Sequence, residues 1–242
     1  MRKVGSKILV VVFLLVCGQV SAQMVTEGRI LFERKTNLEK KFKNEDRVKR
    51  WLRGNKSKVD QFELVFNDTI SIFKPVYSDE PDPLKWATSQ STVLQNFNRQ
   101  EKTLILDVAG SQVYVKDSND VRAWKVTESK RKIGKYNCRK AIYQKDDSTR
   151  IYAWYSVDVV PSIGPEGFFG LPGAILGLAT EDGGIIYFAK EVKFEKIDPK
   201  EFVVDLKRKD VYTLKELKVE LEEKFGNEPW GKRLFTDLFR WL

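Results

Sequence analysis

From Gly28 onward, apolar side chains keep returning at every second position, a period that allows little except β-structure. Ile30 and Phe32 alternate in GRILFER, Phe62, Leu64 and Phe66 in QFELVFND, and Ile70 and Ile72 in TISIF. Asn67-Asp68 sits between the last two runs as a short hairpin turn. The pattern resumes at Leu104, Leu106 and Val108, breaks at Gly110-Ser111 and returns at Val113 and Val115. Further strands are readable at Ala123 to Thr127, Gly134 to Tyr143, Arg150 to Ser156, Ala174 to Thr180 and Gly184 to Phe194, with Asp182-Gly183-Gly184 turning between the last two. Parallel pairing needs crossovers of a dozen or more residues, and few gaps are that long, so the sheet is expected to be mostly antiparallel. Glu63, Lys116, Lys125 and Lys193 give several strands one polar face, as in a sheet wetted on one side. The expected class is mainly β: a curved antiparallel sheet or open half-barrel of about ten strands with two C-terminal helices.

Two gaps interrupt the alternation. From Arg34 to Lys58 there are eleven Lys or Arg against Glu39, Glu45 and Asp46. The run reads either as a solvated excursion, with a short helix over Glu45 to Arg53, or as a patch for anionic lipid or an acidic partner. The second gap, Tyr77 to Thr88, contains SDEPDP and reads as loop. At the C-terminal end the period changes. Thr213 and Glu216 form a capping box, Leu214, Leu217, Leu221 and Phe225 follow at helical spacing, and Gly226 stops the helix. In EPWGKRLFTDLFRWL, Trp230, Leu234, Leu238 and Leu242 form a stripe that Phe235, Phe239 and Trp241 widen. Such a stripe either docks on its own sheet or meets a partner or membrane surface.

The first residues read as a targeting segment. Arg2, Lys3 and Lys7 precede the apolar run Ile8 to Val16, and Val20-Ser21-Ala22 supplies small residues for cleavage. That run is too short to span a bilayer, which needs roughly 20 residues. Cys17 would be a lipid acceptor in a rival reading, but Val16 stands where a small residue is wanted. The expectation is a cleaved signal peptide over residues 1–22, then a single antiparallel β domain over 23–242 with a helical segment at 213–242. Export argues against nucleic acid as a partner of the net charge of +9. Cys138 is then the lone cysteine, either buried as a small apolar residue or made reactive by Arg139 and Lys140.

The chain has no histidine. Ser-His-Asp triads, Cys-His pairs and histidine zinc sites are therefore excluded. Asp158, Glu166 and Asp182 remain as acids for acid–base work, but none has a readable partner. No catalytic residue, metal ligand or cofactor is expected.

GPEGFFGLPGAILGL, from Gly164 to Leu178, carries a single charged residue, Glu166. Its four glycine triplets are too few for collagen, and no Gly-Lys-Ser/Thr follows for a phosphate loop. Leu171-Pro172-Gly173 fits a type II turn, with Pro172 presetting φ and Gly173 supplying the positive φ. Phe168, Phe169 and Leu171 need dry surroundings. The segment either packs across an opening of the sheet or offers an apolar surface to a ligand or partner.

Gly170-Leu171-Pro172-Gly173-Ala174-Ile175 resembles the motif that names the GLPGLI proteins, an exported family of Bacteroidetes, with Ala174 where the name has leucine. GRILFERKTN, FELVFNDTISIF, KIGKYNCRKA and AWYSVDV resemble further blocks of that family in order, so the resemblance covers nearly the whole mature chain. It implies a periplasmic or outer-membrane-associated protein in company with TonB-dependent outer-membrane transporters, and carries no established activity. The functional expectation is a non-catalytic binding or accessory protein with an outer-membrane protein partner. The alternative is a carrier of a lipid or other apolar ligand in a concave sheet. Expected contact residues are Phe168, Phe169, Gly170, Leu171, Pro172 and Gly173 in the loop, and Trp230, Phe235, Phe239 and Trp241 in the tail.

Overall fold

The structure, a computed structural model, describes residues 26–108, 110–147, 149–206 and 210–242. The targeting segment read at 1–22, with Cys17, lies outside the described residues.

Among these, twelve strands form one sheet: β1 (Gly28–Asn37), β2 (Ser57–Phe66), β3 (Ile70–Pro75), β4 (Ser91–Asn96), β5 (Glu101–Val108), β6 (Ser111–Ser118), β7 (Trp124–Ile133), β8 (Tyr136–Gln144), β9 (Arg150–Ser156), β10 (Ala174–Thr180), β11 (Ile185–Phe194) and β12 (Val211–Tyr212). Their spatial order is β12-β6-β5-β4-β3-β2-β1-β11-β10-β9-β8-β7. Neighbours pair antiparallel, except that the two-residue β12 runs parallel to β6. Helices α1 (Leu38–Lys41) and α2 (Asp46–Trp51) lie between β1 and β2, and α3 (Leu214–Phe225) and α4 (Gly231–Leu238) close the chain.

Connectivity dictates the curl. The chain meanders from β1 out to β6, crosses to β7 at the opposite edge, and meanders back until β11 pairs with β1. In a flat sheet β6 and β7 would stand about 48 Å apart at the usual strand spacing. The link from Ser118 to Trp124 reaches only about 20 Å when fully extended. The sheet therefore rolls into an open half-barrel whose ends approach without pairing. Exposed Lys125, Glu128, Lys130, Arg131 and Lys132 on the edge strand β7 discourage a further strand from adding there.

The inner face changes character along the strands. At one end Ile30, Phe32, Phe62, Leu64, Phe66 and Phe73 are buried together, with Phe62 and Phe73 stacked at 4.9 Å. At the other end of β1 and β2 the inward positions belong to Arg34, Thr36, Lys58 and Asp60, all buried. The basic run is thus not a uniformly solvated excursion. Arg34 and Lys58, its first and last cations, face inward, and only its middle projects as α1 and α2 over a small core of Leu38, Phe42, Leu52 and Ala87.

Strand β4 is absent from the alternation because its inward positions include Gln95 beside Val93. Gln95 is satisfied inside by Asn119 Oδ1 at 3.1 Å and the Gly167 carbonyl at 3.2 Å. The Asn67 turn forms as expected, with Asn67 Oδ1 accepting from the Thr69 and Ile70 N–H groups. The Thr213–Glu216 capping box opens α3.

Candidate functional site

The segment from Gly164 to Gly173 runs inside the sheet from β4, where Gly167 lies beside Val93 and Gln95, to the β6–β7 link, where Gly170 lies beside Val121 and Trp124. Trp124 Nε1 donates to the Phe169 carbonyl at 2.9 Å, and Arg122 donates to the Gly167 carbonyl at 3.1 Å. Its final reversal is not the expected type II turn. The Gly173 N–H donates to the Leu171 carbonyl at 2.7 Å, an i to i+2 bond that makes an inverse γ-turn about Pro172, whose ring constraint suits the required φ. Gly173 is needed for a second reason: a Cβ there would stand 2.1 Å from the Ser156 carbonyl oxygen.

Glu166 is the unusual residue of this segment. It is buried and holds φ +55°, a left-handed conformation that costs a non-glycine residue about 1–2 kcal/mol. Its carboxylate accepts from the Tyr187 hydroxyl and from Ser91 Oγ at 3.2 Å. Tyr187, Arg34 and Asp60 occupy facing positions on β11, β1 and β2. Arg34 donates to Asp60 Oδ2 at 2.8 Å and to the Tyr187 hydroxyl at 3.5 Å, and Lys58 donates to the other Asp60 oxygen. Asp82 adds a second acid to Lys58 at 2.9 Å. Two cations thus face two acids before Glu166 is included. Burial raises the Glu166 carboxyl above its ordinary range, against the pull of Arg34 and its two hydrogen bonds. Burial likewise opposes ionisation of Asp60, but Arg34 and Lys58 overcome it and hold that carboxyl low. Sequence reasoning found Glu166 without partners because Ser91, Arg34 and Tyr187 come from three distant strands. Asp182 serves its turn instead, accepting from Thr180 Oγ1 and the Gly184 N–H, and Asp158 accepts from Ser156 Oγ.

The aromatic tail docks on its own sheet. Trp241 packs against Phe168 at 5.9 Å and Tyr187 at 6.0 Å. Arg122 donates to the Trp241 carbonyl, and Lys145 Nζ to the carbonyls of Phe239 and Arg240. Of the expected contact residues, Phe168, Leu171, Gly173, Phe239 and Trp241 are buried within the chain. Phe169 and Phe235 are half-buried against Phe97 and Phe239, while Gly170 and Pro172 are exposed. Of the two readings of the loop, packing across the opening is the one observed. The inner face that an apolar ligand would need is occupied by the chain's own side chains.

Trp230 alone of the expected tail residues stands at an open surface, 36% exposed. It lines a cleft of about 710 Å³ between α4, α1 and the loop around Lys85, together with Trp86, Phe42, Lys41, Lys85 and Arg233. Exposed Trp51 packs edge-on to Trp86 at 6.2 Å. Half of the chain's six tryptophans thus gather in or beside one opening. Trp86 and Trp51 were missed because the first sits in an acidic loop and the second in a basic helix, neither with apolar periodicity. Among the described residues, no three Cys, Asp or Glu side chains converge as a metal ion would require.

No family model and no curated sequence matches the chain. Two crystal forms of PNGF-II, C2 and P21, are similar at TM-scores of 0.53 and 0.54, with 16% and 15% identity over 80% of this chain. The matched part is 32% of the PNGF-II chain, so this protein corresponds to about a third of that one. An uncharacterized conserved protein from Thermus thermophilus reaches a TM-score of 0.41 at 6% identity, over 79% of this chain and 93% of that one. The likeness to PNGF-II is one of fold.

Proposed function

We propose that the protein is a non-catalytic binding protein of the bacterial envelope that docks an outer-membrane partner in the cleft between α4, α1 and the Lys85 loop. The observation that carries this reading is the gathering of Trp86 and Trp230 with Lys41, Lys85 and Arg233 around about 710 Å³ of open space. Tryptophan and arginine dominate the energetics of protein interfaces, and large aromatics are rarely left exposed together without a use. The sequence resemblance to the GLPGLI proteins and the leader-like first residues support export and the company of a TonB-dependent transporter.

The internal polar groups fit the same reading. Glu166 is enclosed and engaged by Tyr187 and Ser91, as a residue locking a loop would be. The filled inner face favours binding at the rim over carriage of an apolar ligand inside. Photo-crosslinking from position 230 in intact envelopes tests the proposal. An outer-membrane protein joined there supports it, and crosslinks confined to the protein itself contradict it.

A further inference from the structure

A second opening adjoins the cleft, sharing Lys41, Arg233 and Asp237 with it, and has a different chemistry. It measures about 300 Å³ and lies between the end of β1, the Asp182 turn and the face of α4. Five cations line it: Lys40, Lys41, Lys232, Arg233 and Arg240. Against them stand three acids, each already engaged. Asp237 pairs with both Lys41 at 2.6 Å and Arg240 at 3.3 Å, Glu45 pairs with Arg233, and Asp182 caps its own turn. Lys232 has no ion-pair partner among the described residues.

Two residues of the lining each carry a buried polar atom with no hydrogen-bond partner, Thr36 Oγ1 and Arg240 Nε. Thr36 is 2% exposed. Leaving such atoms unpaired is costly, and a group that accepts from both removes the cost. The charge balance of the lining also favours an anion, with five cations against three acids. Burial lowers the affinity of Lys41 for its proton, although Asp237 works against it.

We propose that this pocket binds an oxyanion, a phosphate, sulfate or carboxylate group, which accepts hydrogen bonds from Thr36 Oγ1 and Arg240 Nε and is balanced by Lys41 and Lys232. The site extends the binding reading above, and its test needs no protein partner, so its failure would leave docking at the cleft untouched.

Thermal unfolding of the isolated protein with inorganic phosphate, at ionic strength held constant with chloride, is the experiment. A saturable rise in Tm is expected. Thr36→Val removes a costly buried hydroxyl that has no partner, so Tm without phosphate is expected to hold or rise, while phosphate binding weakens by about tenfold, the worth of one charge-assisted hydrogen bond. Arg240→Gln weakens it at least as much, and the remote Lys190→Gln leaves it unaltered. A parallel arm sediments the protein with phosphatidylglycerol or phosphatidylcholine vesicles. Phosphatidylglycerol binding that Thr36→Val abolishes makes the anion a lipid headgroup. A phosphate response without vesicle binding makes it a free anion or one carried by a soluble molecule. No saturable response in either arm, or responses that Thr36→Val and Arg240→Gln leave intact, would overturn the proposal.

Discussion

Arg122 lays its guanidinium 4.0 Å from the centre of the Phe168 ring while donating to the carbonyls of Gly167 and Trp241. One side chain from the β6–β7 link thereby joins the glycine-rich segment to the C-terminal tail. Arg122→Met retains length and removes both hydrogen bonds. It should destabilise the protein by about 2–4 kcal/mol, read as a lower urea midpoint, because two carbonyls lose a charged donor in a part-buried site. Removal of residues 229–242 should be more severe, since it uncovers Phe168 and Tyr187 together. Loss of the folded near-ultraviolet spectrum is the expected result, and a folded truncated chain would show that the tail is not part of the core.

Glycine is required at Gly173 by space as well as by φ. Gly173→Ala drives a methyl group into the Ser156 carbonyl and should cost about 3 kcal/mol or more. Gly134→Ala is the matched control. Gly134 also has positive φ, but nothing lies within 4 Å of a Cβ there, so the cost should be about 1–2 kcal/mol. Denaturant midpoints of the two variants separate close approach from backbone preference.

The two buried carboxyls give opposite pH dependences. Glu166 holds its proton more tightly folded than unfolded, so its contribution is full below the ordinary glutamate range and is lost as pH rises towards its elevated folded value. Asp60 is held low, so its contribution is present above the ordinary aspartate range and lost as pH falls through its depressed folded value. Glu166→Gln should therefore gain on wild type as pH rises, at about 1.4 kcal/mol per unit of pKa difference. Asp60→Asn should lose most near neutrality, by about 3–5 kcal/mol, because Arg34 is left buried without its acid. Stability curves across pH for both variants check the two signs.

Cys138 is fully buried in β8, and burial pushes its thiol up to about 11. The folded protein should resist thiol reagents at neutral pH and react fully once unfolded. Rapid labelling of the native state would point to an opening of β8 that the packed sheet does not provide.

Alternation made the sheet legible wherever the inner face was apolar. It gave the antiparallel meander, and the Asn67 turn and the capped helix α3 were legible from other local signals, a turn asparagine and the Thr213–Glu216 capping box. It failed at β4, where Gln95 is an inward polar residue paired across the chain, and at Arg34 and Lys58, inward charges that look like solvated ones. The site was less legible for the same physical reason. Phe168 and Trp241 could be recognised as apolar groups seeking cover, yet nothing local says that they cover each other. Glu166 found its partners only through the rolling of the sheet, which brings β4, β1 and β11 under one loop. Tertiary packing alone brings Trp86 and Trp230 to one cleft, with Trp51 against Trp86 beside it.

Docking at the cleft is tested most directly by capture from the native envelope with wild-type protein and with a Trp86→Ala/Trp230→Ala variant. Trp86 also packs on Phe42 and Trp230 on Phe225, so the variant should lose some Tm while remaining folded at the capture temperature, which its circular dichroism spectrum checks. Wild type is predicted to retain one outer-membrane protein, a TonB-dependent transporter, and the variant to lose it. No retained protein, or equal retention by both, would contradict docking at this cleft.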